Sequence, residues 1–108
     1  MAEPEIKTIN PKKLQAGDLI LDVRTESEVS EKYLAMPFLH EDSTKINIDD
    51  CIRKYNLTGC RTLNILCGSG KRATEVAKKF IEKGFTNVKV VEGGLGQAEK
   101  EGLKIIKK

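Results

Sequence analysis

The segment of this sequence best suited to chemistry is a cysteine followed by a short, cationic stretch that contains glycine. Its six residues are Cys67, Gly68, Ser69, Gly70, Lys71 and Arg72. The apolar run over residues 62–66 predicts a strand that ends at the cysteine, and a helical pattern of apolar residues starts at residue 73. We therefore place the cysteine at a corner where a strand ends and a helix begins.

Such a corner favours an ionised sulfur. The first turn of a helix carries backbone N–H donors without helical partners, and the helix dipole adds partial positive charge there. Gly68 and Gly70 allow the loop to curl so that several N–H groups converge on one point. Lys71 and Arg72 add two full positive charges. Because the thiolate is the reactive form of cysteine, Cys67 is predicted to be a nucleophile.

The alternative is that Cys67 is an unreactive cysteine packed at a strand end, because free cysteine packs as a small apolar residue. Two glycines and two cations within the next five positions favour the reactive interpretation. Cys51 is predicted on the apolar face of a helix, and Cys60 in an exposed turn. A resolving role for Cys60 toward Cys67 is a minor alternative, since the sequence has no Cys-x-x-Cys spacing.

Four short segments, in order along the chain, carry a resemblance to a known family. They are Asp-Val-Arg at residues 22–24, the Cys-x-x-Gly-x-Arg loop at 67–72, Gly-Phe-x-Asn-Val at 84–88 and Glu-Gly-Gly at 92–94. Together they resemble the single-domain rhodanese-like sulfurtransferases. The resemblance implies an α/β, three-layer fold: a central, mainly parallel five-stranded sheet with helices on both faces and the cysteine loop after the fourth strand.

The pattern of apolar residues agrees with that fold. Apolar runs over residues 19–23, 62–66 and 87–91 predict strands, and helical patterns separate them. Strands that alternate with helices predict a parallel sheet covered on both faces, with ligands bound beyond the carboxyl ends of the strands. The length of 108 residues fits a single domain over residues 1–108.

The resemblance also implies an activity. The Cys67 thiolate would attack the sulfane sulfur of an anionic donor such as thiosulfate, polysulfide or a persulfide. The N–H groups of residues 68–72 would hold the resulting persulfide, and Lys71 and Arg72 would attract the donor. The acceptor would be cyanide or a thiol, including a thioredoxin-like or other sulfur-accepting protein. The family's chemistry requires no metal and no organic cofactor.

Two other classes of function remain open. One is a non-catalytic persulfide carrier or redox-sensing module that binds a dedicated partner, because such a module needs the same loop. The other, less favoured, is a cysteine phosphatase or arsenate reductase. Those enzymes place five residues between cysteine and arginine, whereas four separate Cys67 from Arg72.

Charge is unevenly distributed along the chain. Residues 1–51 carry six Lys and Arg against eleven Asp and Glu, whereas residues 52–108 carry thirteen against five. The basic half contains the cysteine loop, which favours small anionic substrates. We predict no nucleic-acid binding, because the lysines are scattered and no aromatic platform accompanies them.

Location and metal binding follow from composition. The apolar stretches are too short to cross a bilayer, and residues 1–4 do not resemble a secretory signal. Three cysteines and one histidine fit neither a disulfide framework nor a zinc site. We therefore expect a cytoplasmic protein that uses neither a metal nor a membrane.

Several local predictions concern the surroundings of the loop. Thr25 and Glu28 form a capping-box pattern, which predicts a helix from there to about Leu34. Asp22 and Arg24 are predicted as a buried pair with a structural role.

The segment from residue 35 to residue 50 departs from the family pattern, and its residues 36–42 would suit a rim of the active site that is specific for a partner. Within it, His40 is predicted as a surface residue with carboxylate neighbours. A short strand is expected at residues 46–48, followed by a helix capped by Asp49 or Asp50. Lys107 and Lys108 are expected to be frayed.

Overall fold

The computed structural model describes residues 5–108, so the interpretation of residues 1–4 lies outside it. The strands within the described residues are β1 (Thr8–Ile9), β2 (Leu19–Asp22), β3 (Lys32–Leu34), β4 (Leu39–His40), β5 (Leu63–Leu66), β6 (Val88–Val91) and β7 (Ile105–Lys107). The α-helices in the same part of the chain are α1 (Glu26–Glu31), α2 (Ile48–Lys54), α3 (Lys71–Glu82) and α4 (Gly94–Lys100), and a 3-10 turn covers Pro11–Lys13.

Five of these strands form one parallel sheet, in the order β1-β6-β5-β2-β4. The cysteine loop follows β5, which is the fourth strand of this sheet along the chain. β5 lies at the centre, and its four residues are all buried. The predicted three-layer α/β fold with a mainly parallel five-stranded sheet is therefore confirmed.

Each face of the sheet carries its own apolar core. On one face α2 and α3 cover the sheet, and Phe80 and Cys51 pack there against Leu21 and Ile65 of the strands. On the other face α4 and the segment after the 3-10 turn supply buried side chains, among them Leu14 and Leu95. Among residues 5–108 no helix is both long and apolar enough to cross a membrane.

The predicted helix from Thr25 to about Leu34 is too long. The capping box forms as expected, with the Thr25 side chain accepting from the Glu28 amide, but α1 ends at Glu31. Residues 32–34 instead form β3, which pairs antiparallel with β7 in a separate two-stranded sheet. Leu34 is 1% exposed in this arrangement. The long-range pairing therefore overrides the local helical spacing, and Lys107 is paired in β7 rather than frayed.

The segment between β4 and α2 also differs from expectation. The strand lies at Leu39–His40 and not at residues 46–48. Asn47 caps α2 by accepting a hydrogen bond from the Asp50 amide at 3.0 Å, so the predicted caps Asp49 and Asp50 are wrong. Both aspartates instead lie in the first turn of α2, where acidic residues interact favourably with the helix dipole.

Candidate active site

Cys67 lies directly after β5, and its side chain is completely buried. Two backbone amides point at its sulfur: the Gly70 N–H donates at an N···S distance of 2.9 Å and the Ala73 N–H at 3.3 Å. Gly70 is the residue before α3, and its φ of +102° lies in the left-handed region that glycine adopts readily. The sulfur therefore sits at the positive end of the helix dipole, held by donors that the helix itself does not use.

Only part of the predicted loop donates hydrogen bonds to the Cys67 sulfur. Of the segment from residue 67 to residue 73, the amides at Gly70 and Ala73 reach the sulfur, and Ala73 lies beyond the predicted residues. Gly68 is half-buried, and Ser69 is exposed at the tip of the loop. The sequence did carry a signal for Ala73, because the amide of the third residue of a helix is one of its free donors.

The start of α4 holds the other side of the loop. The Leu95 N–H donates to the Cys67 carbonyl at 2.7 Å, and the Gly96 N–H donates to the Gly68 carbonyl at 3.2 Å. Gly94 allows this approach: a Cβ atom at that position would lie 2.3 Å from the Cys67 carbonyl oxygen. The carbonyls at the start of the loop are thus fixed against α4, on the opposite side of the loop from the sulfur. Gly94 was recognised in the sequence only as part of a motif, and not as a site residue.

Arg72 does not present a second unpaired cation. Its guanidinium forms two hydrogen bonds to the Glu28 carboxylate, at 2.7 and 2.9 Å. Hydrogen bonding from Arg72 lowers the pKa of Glu28 from 4.5 to about 2, and the Glu28 carboxylate in turn raises the pKa of Arg72. Lys71 is exposed, and within residues 5–108 it forms no ion pair.

A buried ion pair supports the strand next to β5. The Arg24 side chain donates three hydrogen bonds to the Asp22 carboxylate oxygens at 3.0 to 3.2 Å, and a further bond reaches the Lys32 carbonyl at 2.7 Å. The Val23 N–H also donates to the Leu66 carbonyl at 2.8 Å, immediately before the cysteine. The predicted structural role of Asp22 and Arg24 is therefore confirmed.

The segment from residue 36 to residue 42 is divided between the two ends of the sheet. Pro37, Phe38 and Leu39 line a groove of about 270 Å³ with residues that precede β2 and β5, at the end opposite the cysteine loop. The backbone then crosses to the carboxyl end, where the Glu41 N–H donates to the Asp22 carbonyl. The first half of this segment therefore lies away from the cysteine loop, and only its second half reaches the same end of the sheet as the loop.

His40 and the two other cysteines are separate from the sulfur. His40 is half-buried and so less exposed than predicted, and its Nε2 donates to the Arg24 carbonyl at 2.7 Å. Cys51 is buried, and burial raises the pKa of its thiol to about 11. Cys60 is exposed, and all three cysteines are free. Residues 5–108 contain no cluster of side chains that could hold a metal ion.

Comparisons with known proteins point to one fold family. The sequence model of the rhodanese-like domain matches residues 8–101. A rhodanese-related protein from Thermoplasma volcanium has a TM-score of 0.68 at 23% identity, over 94% of this chain and 99% of its own. A Rhodopseudomonas palustris protein of unknown function, named as a possible tyrosine phosphatase, has a TM-score of 0.76 at 20% identity, over 94% and 85% of the two chains.

A third similar structure is a NAD-dependent persulfide reductase from A. fulgidus, with a TM-score of 0.64 at 24% identity. The alignment covers 85% of this chain but 16% of the reductase, so the similarity concerns one part of that enzyme. These identities are low, and the three structures therefore support the fold alone. No curated protein matches the sequence.

Proposed function

Because this chain belongs to the rhodanese-like domain family, we propose that it is a sulfurtransferase that acts through a persulfide on Cys67. The donor is a small anion that carries sulfane sulfur, and the acceptor is a thiol or cyanide. The observation that carries this proposal is the pair of amides, from Gly70 and Ala73, that donate to the Cys67 sulfur. Amide donors at a helix start favour the thiolate over the thiol, and the thiolate is the form of cysteine that attacks.

With thiosulfate as the donor, the reaction has two steps. The Cys67 thiolate attacks the outer sulfur of thiosulfate, so that a new S–S bond forms and sulfite leaves with the electron pair of the old one. The persulfide anion left by the first step takes up a proton from water, and in the second step an acceptor thiolate attacks the outer sulfur of this Cys67 hydropersulfide. The bond to Sγ breaks, Cys67 leaves as a thiolate, and the proton remains on the transferred sulfur. The two steps are separate, which predicts ping-pong kinetics.

The residues around the sulfur take different parts in this scheme. Lys71 is exposed beside the loop and attracts the anionic donor. Arg72 is engaged by Glu28, so its part is to fix the first turn of α3 and thereby the amides that face the sulfur. Gly68 and Ser69 give the loop the curvature and the exposed tip that a donor would meet.

A persulfide carrier or redox-sensing module is a second candidate, favoured by the complete burial of Cys67. A sulfur that is covered when the protein is alone would be loaded or unloaded where a partner opens the loop. A phosphatase or arsenate reductase ranks lower, because only four residues separate Cys67 from Arg72. Three free cysteines fit a reducing compartment, and we infer a cytoplasmic location on that ground.

Intact-mass spectrometry after thiosulfate treatment tests the site. We expect one added sulfur on the wild type and on Cys60→Ser, and none on Cys67→Ser. Cys60→Ser is the matched control because it removes an exposed thiol remote from the loop. Sulfur that is found on Cys51 or Cys60 would reject the assignment.

Activity assays then separate the candidate functions. Turnover of thiosulfate and cyanide supports the sulfurtransferase. An adduct that forms only from a protein persulfide, with no turnover of small donors, supports the carrier. Hydrolysis of an aryl phosphate that disappears in Cys67→Ser would support a phosphatase instead.

A further inference from the structure

A groove of about 200 Å³ starts at the cysteine loop and runs along α3. Its lining comes from α3 and from the loop after β4: Ser43, Lys71, Arg72, Glu75, Val76 and Lys79. The groove therefore shares two residues, Lys71 and Arg72, with the proposed active site. Ser43 is held in place because its N–H donates to the Val23 carbonyl at 3.0 Å.

The chemistry of this groove is apolar at the base and cationic at the rim. Val76 lies at the base, and the methylene stems of the long side chains add further carbon surface. Lys71 and Lys79 are exposed, and neither forms an ion pair within residues 5–108. Glu75 is directed toward Lys78, with the two charged groups 3.8 Å apart. The two unpaired lysines thus give the groove a net positive charge.

The groove is longer than a small donor requires. Lys71 and Lys79 lie eight residues apart on one side of α3, which corresponds to about 12 Å along the helix axis. A thiosulfate ion would contact only the end at the loop. The remainder suits an extended polypeptide segment with an apolar side chain for the base and carboxylates for the rim.

We propose that this groove docks the sulfur acceptor, and that the acceptor is a protein whose reactive cysteine lies in an acidic, partly apolar segment. This inference rests on the proposed function and names the partner of the same site. The acceptor thiolate would approach Cys67 from the Lys71 end of the groove and take the outer sulfur, as in the second step above. A groove of this size fits a brief encounter and not a permanent complex.

Binding tests the groove without requiring any sulfur transfer. The probe is a labelled synthetic peptide with a central Leu-Ser pair flanked on both sides by Glu and Asp, so that it cannot react. The matched peptide carries Lys at each acidic position. Measured by fluorescence anisotropy at low salt, the acidic peptide should bind more tightly than the basic one. Raising the salt concentration should weaken that preference.

Two charge reversals locate the binding. Lys79→Glu should weaken binding of the acidic peptide roughly three- to tenfold, since it replaces an attraction by a repulsion. Lys13→Glu makes the same change of net charge near α4, whose side chains pack in the other core, and should change the affinity less than twofold. Both lysines are exposed, so neither substitution disturbs the core.

Transfer to a peptide with Leu-Cys in place of Leu-Ser gives the functional readout. From protein loaded with sulfur, Lys79→Glu should slow transfer to the acidic peptide by a similar factor. Turnover of thiosulfate and cyanide should remain within about twofold, because Lys79 lies two helical turns from the loop.

The outcomes separate this inference from the proposed function. Equal effects of Lys79→Glu and Lys13→Glu on peptide binding would overturn the proposal that this groove docks the acceptor, and so would equal binding of the two peptides. Tighter binding of a single-stranded oligonucleotide than of the acidic peptide would also overturn it. If the peptide binds as expected but thiosulfate leaves no sulfur on Cys67, the docking surface stands and the proposed sulfurtransferase fails.

Discussion

Gly94 is the residue on which the shape of the cysteine loop most depends. Its φ is +63°, and an added Cβ would lie 2.3 Å from the Cys67 carbonyl oxygen and 2.6 Å from the Gly68 carbonyl carbon. Gly94→Ala should therefore push the loop away from α4 and turn the amides away from the sulfur. We expect persulfide formation to slow at least about tenfold, because the amides hold the attacking thiolate and a hydrogen bond to a charged group contributes about 1.5–3 kcal/mol.

A matched glycine separates this local effect from general strain. Gly102 has a φ of +90°, but an added Cβ there would meet nothing within 4 Å. Gly102→Ala should lower the free energy of unfolding by about 1 kcal/mol through backbone strain and leave persulfide formation unchanged. The ultraviolet absorbance of the thiolate, measured against Cys67→Ser in each background, should fall only in Gly94→Ala. Equal absorbance in both glycine variants would show that Gly94 does not position the sulfur.

The pair formed by Glu28 and Arg72 should appear in the acid stability of the protein. Hydrogen bonding from Arg72 lowers the pKa of Glu28 from 4.5 to about 2. The ionised form of Glu28 is therefore favoured more in the folded state than in the unfolded state. The resulting stability is complete above pH 4.5 and is lost as the pH falls toward 2. The Glu28 side chain is 40% exposed, so solvent screening limits the effect to about 1 kcal/mol.

Denaturant unfolding between pH 7 and pH 2.5 measures this effect. Glu28→Gln should be less stable than the wild type at pH 7, and the difference should shrink in acid. Glu26→Gln is the control, because Glu26 is an exposed residue of the same helix. A constant difference between wild type and Glu28→Gln over the whole range would contradict the assigned pair.

At the residue level, the sequence predicted the types of groups at the site better than their partners. It placed Cys67 at the end of a strand and glycine in the loop, because both follow from local pattern. It could not predict that Glu28 takes up the charge of Arg72, since the two lie 44 positions apart. Glu28 had been assigned only as half of a capping box, which it also forms.

At the level of elements, the cap of α2 offers a direct test. The Asn47 side chain accepts a hydrogen bond from the Asp50 amide at 3.0 Å, and loss of such a helix cap costs about 1 kcal/mol of stability. Asn47→Ala should lower the urea midpoint accordingly. Asp49 forms an exposed ion pair with Lys83 at 3.2 Å, so Asp49→Ala should cost at most about 0.5 kcal/mol. The reverse order would show that Asp49 caps the helix, as the sequence alone had indicated.

The elements that the sequence predicted well are those whose stability is local or fully buried. α3 has apolar residues at helical spacing, and β5 is a continuous apolar run. β3 was missed because its three residues continue the spacing of α1, and only pairing with β7, some seventy positions later, makes them a strand. β4 is two residues long and therefore too short to leave a pattern.

At the level of the whole molecule, the fold mixes the two halves of the sequence that differ in charge. β1, β2 and β4 come from the acidic half, whereas β5 and β6 come from the basic half. In the sheet, β5 and β6 lie side by side between β1 and β2. Within residues 5–108, ion pairs join acids of the first half to bases of the second: Arg53 with Asp50, Lys54 with Glu41, Arg72 with Glu28, and Lys83 with Asp49. The charge asymmetry read from the sequence is thus partly neutralised in the folded protein.

The electrostatic potential at Cys67 can be measured by comparing how fast this cysteine reacts with a negatively charged and with an uncharged alkylating reagent. Iodoacetate and iodoacetamide have similar size, so the ratio of their rates at one thiol cancels the effect of burial and reports electrostatic attraction. Relative to the uncharged thiol N-acetylcysteine amide, we expect this ratio to be roughly threefold higher at Cys67, as quantified by peptide mass spectrometry. Lys71→Met should reduce the ratio, whereas Lys13→Met, on the other side of the sheet, should not.

High salt should also reduce the ratio of the two rates, because exposed charges are screened within about 10 Å at 0.1 M. A ratio at or below that of the free thiol would mean that the acids of the first half cancel the loop's charge, and an anionic donor would then gain nothing from Lys71.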